Sequence, residues 1–163
     1  MSRLAIVELH KNELHFSAGH FTIFSATERE NLHGHNYELS AELHVLLPGN
    51  GLAFDYRVYK NKLIALCEQL DRRFLLPQQS KYLKLEEKDE MLYAHFNQER
   101  IPFLKRDVVT LPICNITIEE LSHWFLLELI RDEVELRRHK IQGIVLKVFN
   151  GPGQAGAAHW GKV

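Results

Sequence analysis

From His35 onward the chain alternates residue by residue, with His35, Tyr37, Leu39, Ala41, Leu43 and Val45 on one side and Asn36, Glu38, Ser40, Glu42 and His44 on the other. Side chains of an extended chain point to opposite faces with period two, so this pattern demands a strand with one face on a core and one toward water. Half-buried strands of this kind belong to antiparallel sheets. Residues 4–20 form a second extended run, with a turn or bulge expected at Lys11-Asn12-Glu13. Beyond that turn Leu14, Phe16, Ala18 and His20 share one face.

Pro48-Gly49-Asn50-Gly51 is turn chemistry. A helix is expected from about Tyr56 to Leu70, with Tyr59, Leu63, Leu66, Cys67 and Leu70 on its inner stripe. Residues 81–113 read as an inserted hairpin. Thr117 and Glu120 make a capping-box signature that opens a long helix to about Arg138, whose core stripe includes Leu121, Phe125, Leu129 and Val134. Ile141–Phe149 is a last clear strand, and Gly151-Pro152-Gly153 turns the chain into a short segment near Ala157–Trp160. No βαβ crossover signal interrupts this order. The fold class is therefore α+β, with helices packed on one face of an antiparallel sheet.

The chain has 163 residues, 45% of them hydrophobic, and carries no repeat or flexible linker, so one domain over 1–163 with its own core is expected. A net charge of −1 gives no general attraction to nucleic acid or to an anionic membrane. The apolar run at the N-terminus is too short for a secretory signal, and no stretch reaches the length of a membrane span. Cys67 and Cys114 form no metal pair, and a reducing cytoplasm is the expected compartment.

His33-Gly34-His35 leads into the alternating strand, and residues two apart in extended structure lie on the same face. If the two strands pair antiparallel through residues 21–32, His20 meets this pair. Three neutral imidazoles in a small volume suit a catalytic zinc ion with an open fourth position. In a chain with ten histidines chance alone supplies roughly 0.6 His-x-His pairs, so ordinary surface or core histidines remain an alternative on spacing alone. His10, His15, His44, His95, His123, His139 and His159 are read as exposed or hydrogen-bonded.

Phe16-Ser17-Ala18-Gly19-His20 and Leu32-His33-Gly34-His35-Asn36-Tyr37 resemble the 6-pyruvoyl-tetrahydropterin synthase and 6-carboxytetrahydropterin synthase family. The likeness continues through Ala53-Phe54-Asp55-Tyr56, Leu70-Asp71-Arg72-Arg73-Phe74-Leu75, Asn115-Ile116-Thr117-Ile118-Glu119 and Val148-Phe149-Asn150-Gly151-Pro152-Gly153-Gln154. The resemblance implies a tunnelling fold: a four-stranded antiparallel sheet with two helices on one face. It implies Zn2+ on His20, His33 and His35, and a homo-oligomer, trimer or hexamer, with active sites between subunits. It also implies a lyase acting on dihydroneopterin triphosphate or a related pterin, with the queuosine, biopterin and folate pathways all open.

Three positions depart from the family pattern. No cysteine precedes His-Gly-His; Glu30 forms Glu-x-x-His-Gly-His instead and resembles variants in which glutamate serves as base and the pterin side chain is cleaved to a 6-hydroxymethyl product. Its alternative role is a solvated loop charge, and as a base it would gain from burial that raises its pKa. Asp71 is a catalytic candidate, but Arg72 follows it where the family has a histidine; an arginine cannot relay protons, though it can hold phosphate or pair with Asp71. Asn150 stands where the family anchors the pterin with glutamate, leaving Glu119 as a substitute anchor or a favourable helix-start charge. These departures also motivate a non-catalytic or altered-substrate zinc/pterin-binding paralogue. Cys114 is expected to be an inert, buried thiol.

Overall fold

The computed structural model describes residues 2–163, in the order β1 (Arg3–His20), β2 (His33–Leu47), α1 (Arg57–Leu70), β3 (Arg73–Pro77), β4 (Leu83–Lys88), β5 (Met91–Phe96), β6 (Glu99–Leu104), β7 (Val108–Leu111), α2 (Ile118–Ile130), α3 (Glu133–Arg138), β8 (Ile141–Phe149) and β9 (Ala155–Gly161). β1 and β2 pair antiparallel from Arg3↔Leu47 to His20↔His33. The register shifts once, between His10 and His15, where Asn12 takes φ 37° at the expected bulge. β8 joins β2 antiparallel and β9 joins β8. The alternation holds: Phe16, Ala18, Tyr37, Leu39, Leu43, Ile144 and Leu146 face one core with Leu63 and Leu70 of α1 and Leu121 and Phe125 of α2.

Around this four-stranded antiparallel unit the architecture is larger than expected. β3 adds to β1 in parallel at Ala18↔Arg73 and Gly19↔Phe74, and β7 adds to β3, giving the order β7-β3-β1-β2-β8-β9. These runs of five and four residues are too short to show a period. The insertion is a separate three-stranded sheet, β4-β5-β6, rather than a hairpin. It closes a second core in which Leu83, Leu92, Ala94 and Phe96 pack with Phe21, Ile23 and Leu76.

The last helix is also divided. Asp132 accepts a hydrogen bond from the Glu135 amide at 2.9 Å and caps a new helix, α3. The face therefore rotates: Val134, expected inside, is 59% exposed, while Leu136 is buried. At the start of α2 half of the capping box forms. Thr117 Oγ1 accepts from the Glu120 amide at 3.3 Å, but the Glu120 carboxylate accepts from the Cys114 amide at 3.1 Å. β9 lies close under this helix start; a Cβ on Gly156 would stand 2.3 Å from the Ile118 carbonyl carbon. Among the described residues no helix is long and apolar enough to cross a membrane.

Candidate functional site

His20 closes β1 and His33 opens β2 directly opposite it, while His35 faces Ala18 two pairs further along. Gly34 lets the two strands come together here, since a Cβ at that position would lie 3.0 Å from the Ala18 carbonyl oxygen. The ligand atoms of His20, His33 and His35 all lie within 4.8 Å of one another. Nε2 of His33 is 3.1 Å from Nε2 of His20 and 3.1 Å from Nε2 of His35. Tyr37 lies beneath, its ring centroid 5.6 Å from that of His35.

The second nitrogens decide what the cluster can hold. His20 Nδ1 meets the Ile116 carbonyl at 2.9 Å and His33 Nδ1 meets the Asn31 carbonyl at 2.8 Å. A carbonyl only accepts, so each Nδ1 carries the proton and donates, and each Nε2 presents a bare lone pair. Two lone pairs facing each other at 3.1 Å cannot hydrogen-bond. A cation between them removes the conflict. Four-coordinate zinc with Zn–N bonds near 2.0–2.1 Å sets its nitrogens about 3.3 Å apart, and metal-bound histidines ordinarily donate their other N–H to a carbonyl. Burial holds His20 below the ordinary imidazole range, its bond to Ile116 only partly opposing this, and burial, with repulsion from any proton added to His33, lowers His35. Neutral imidazoles are the form a metal needs. The donor set fits zinc.

Glu30 stands beside the cluster, its Oε2 3.8 Å from His33 Nε2. The same oxygen accepts from the Thr22 amide at 2.9 Å, and the Glu30 amide donates to the Thr22 carbonyl at 2.9 Å. Burial raises the carboxyl, but the Thr22 hydrogen bonds, with attraction to any proton that His33 or His20 takes up, outweigh it and hold Glu30 below the usual carboxylate range. The upward shift considered for a buried base is thus reversed. Glu30 is instead a fixed, ionised carboxylate.

Asp71 makes no hydrogen bond to the imidazoles among the described residues. Its Oδ1 accepts from the Ser17 amide at 2.9 Å and its Oδ2 from Arg72 Nε at 3.2 Å. Arg72 takes φ 58° and borders a cleft of about 430 Å³ together with Ser17, Gly19, His35 and Asn36. Asn150 borders a second cleft of about 650 Å³ on the other side of His35, with Asn36, Glu38 and Phe149. Its Oδ1 accepts from Gln154 Nε2 at 2.8 Å. Glu119 is exposed in the first turn of α2 and borders neither cleft. His44 departs from its expected role: it is buried and its Nε2 has no hydrogen-bond partner among the described residues. Thr22 and Ile116, which orient Glu30 and His20, act through backbone atoms and leave no signature in residue type.

The profile of the family described as 6-pyruvoyl tetrahydropterin synthase matches residues 8–155. A Methanocaldococcus jannaschii protein provisionally named a 6-carboxy-5,6,7,8-tetrahydropterin synthase is 27% identical over 142 residues, 86% of each chain. The structure of a Plasmodium vivax 6-pyruvoyltetrahydropterin synthase variant, in which a glutamate called a catalytic residue is replaced by alanine, superimposes with a TM-score of 0.92 at 29% identity, covering 98% of this chain and 99% of that one. The Plasmodium falciparum enzyme matches with a TM-score of 0.91, 29% identity and the same coverage.

Proposed function

Because the chain belongs to the 6-pyruvoyl tetrahydropterin synthase family, we propose that it is a zinc-dependent carbon–oxygen lyase acting on dihydroneopterin triphosphate or a closely related pterin. The observation that carries this reading is the meeting of three imidazoles with the Glu30 carboxylate, 3.8 Å from His33 Nε2. A glutamate named as the catalytic residue of the Plasmodium vivax relative supports Glu30 in the same role.

His20, His33 and His35 would hold the ion, which supplies Lewis-acid polarisation of the substrate's side-chain oxygens and so acidifies the adjacent C–H bonds. Glu30 takes the proton. Its Oε2 is fixed by the Thr22 amide, and its ionised state lets it act as a base at neutral pH. The electron pair left on carbon expels the triphosphate with its bridging oxygen. Asn150 and Arg72 border the two clefts that meet at His35, which suits the first to a pterin edge and the second to phosphate. A homo-oligomer, trimer or hexamer, with sites between subunits completes the reading. Leu4 and Ile6, 60% and 57% exposed on the outer face of β1, support it.

The test is elemental analysis of the purified protein together with chromatography of its products from dihydroneopterin triphosphate. One zinc per chain and loss of triphosphate are expected. Glu30→Ala should keep the metal and lower kcat about 10²–10⁴-fold. Metal-free protein that still turns over would overturn the zinc reading, and wild-type turnover in the variant would remove Glu30. A second reading, a zinc/pterin-binding paralogue without this activity, draws on Asn150, whose amide offers a donor where a carboxylate offers only acceptors. It predicts metal and pterin bound with no product.

A further inference from the structure

Arg29, next to Glu30 in the loop between β1 and β2, is held more tightly than a surface arginine. Its side chain is 14% exposed. Its guanidinium lies 5.1 Å from the ring centre of Phe21 and 5.8 Å from that of Phe96. Nε and NH2 both reach Glu99 Oε2, at 2.7 and 2.6 Å. NH1 donates to the carbonyl of Glu30 at 2.7 Å. Phe96 and Glu99 come from β5 and β6 of the inserted sheet, and Phe21 and Phe96 are almost wholly buried in the core it closes.

Glu30 is therefore pinned at three points. Its amide and one carboxylate oxygen are bonded to Thr22, and its carbonyl is bonded to Arg29. The bonds to Thr22 stay within the loop. The bond to Arg29 is also local, but Arg29 in turn ties the loop to the inserted sheet through Glu99 and Phe96, at a site where arginine's planar, permanently charged fork can stack and donate in several directions at once. We propose that Arg29, clamped by Glu99, Phe21 and Phe96, is a positioning residue that holds Glu30 in its reactive place, so that the inserted sheet tunes the reaction from outside the pocket. This rests on the reading of Glu30 as the base.

The experiment compares Arg29→Met, Glu99→Ala, Glu99→Gln and Glu30→Ala in the zinc-loaded enzyme, and combines Arg29→Met with Glu30→Ala. Arg29→Met and Glu99→Ala should lower kcat about 10–100-fold, with KM changed less than about twofold and metal content unchanged, since displacement of a reacting group by about 1 Å costs on this scale. Glu99→Gln, which keeps an acceptor for Arg29, should recover most of kcat. In the Glu30→Ala background, Arg29→Met should take away nothing further, because the group it positions is gone. Amide exchange at Thr22 and Glu30 should quicken in Arg29→Met without substrate present. Equal fractional losses with and without Glu30, or wild-type kcat in both clamp variants while Glu30→Ala is inactive, would overturn the clamp and leave the base standing. Wild-type kcat in Glu30→Ala would overturn the base and the clamp together. Should Arg29→Met not fold, Glu99→Ala, made at the exposed end of the pair, decides alone.

Discussion

Gly156 is where β9 and α2 come closest, and replacing it with alanine tests how rigidly they are joined. The new methyl carbon would stand 2.3 Å from the Ile118 carbonyl carbon, 2.4 Å from its oxygen and 2.6 Å from the Glu119 nitrogen, where ordinary contact begins at 3.4 Å. The difference, 3.4 less 2.3, leaves about 1.1 Å to be made up. All three atoms belong to the backbone of a helix start, so no side chain can rotate away. α2 must retreat from the sheet, loosening Leu121 and Phe125 from the shared core. Overpacking costs about 1–3 kcal/mol, and a backbone clash belongs at the top of that range. At roughly 2–4 °C per kcal/mol for a chain of this size, the melting temperature should fall by about 6–12 °C. Far-ultraviolet circular dichroism at fixed protein concentration measures it. The same displacement moves Ile116, whose carbonyl orients His20, so, on the zinc reading proposed above, the variant should also lose its metal faster to a chelator. A fall of less than about 2 °C would refute the claim that these two layers are locked backbone to backbone.

Leu136→Ala should cost about 2–5 kcal/mol in urea unfolding, whereas Val134→Ala should cost less than about 0.5 kcal/mol; the reverse order would restore one continuous helix through Asp132. Cys67 is buried and its thiol is pushed up to about 12, whereas Cys114, expected inside, is exposed, so only the Cys67 thiol should stay unreacted with Ellman's reagent in the folded protein and react after denaturation. Two fast-reacting thiols in native protein would contradict that burial.

The parts of the fold that could be read in advance are those where one face meets a core and the other meets water. Phe16, Ala18 and His20 on β1, and Tyr37, Leu39 and Leu43 on β2, obey that rule. The register that brings His20 opposite His33 follows once the strands are paired through the intervening loop. β3 and β7 were not legible, because Phe74-Leu75-Leu76 and Val108-Val109-Thr110 are too short for a period and pair with strands far away in sequence. Nor was the helix break at Asp132, whose capping bond competes with a continuing apolar stripe. The surroundings of Glu30 were hidden for another reason. Thr22 holds it through backbone atoms, and Arg29 reaches a partner 70 residues downstream.

The bond between His20 Nδ1 and the Ile116 carbonyl joins positions 96 residues apart. His33 and His35, by contrast, depend on one strand and a neighbouring carbonyl at Asn31. As the polypeptide emerges from the ribosome, β1 and β2 can pair once the first 47 residues are free. The third imidazole gains its fixed orientation only after position 116 has been made and seated. On the zinc reading proposed above, ion capture at full strength would wait until most of the chain has been translated, and a nascent fragment ending before that point would compete poorly for scarce metal.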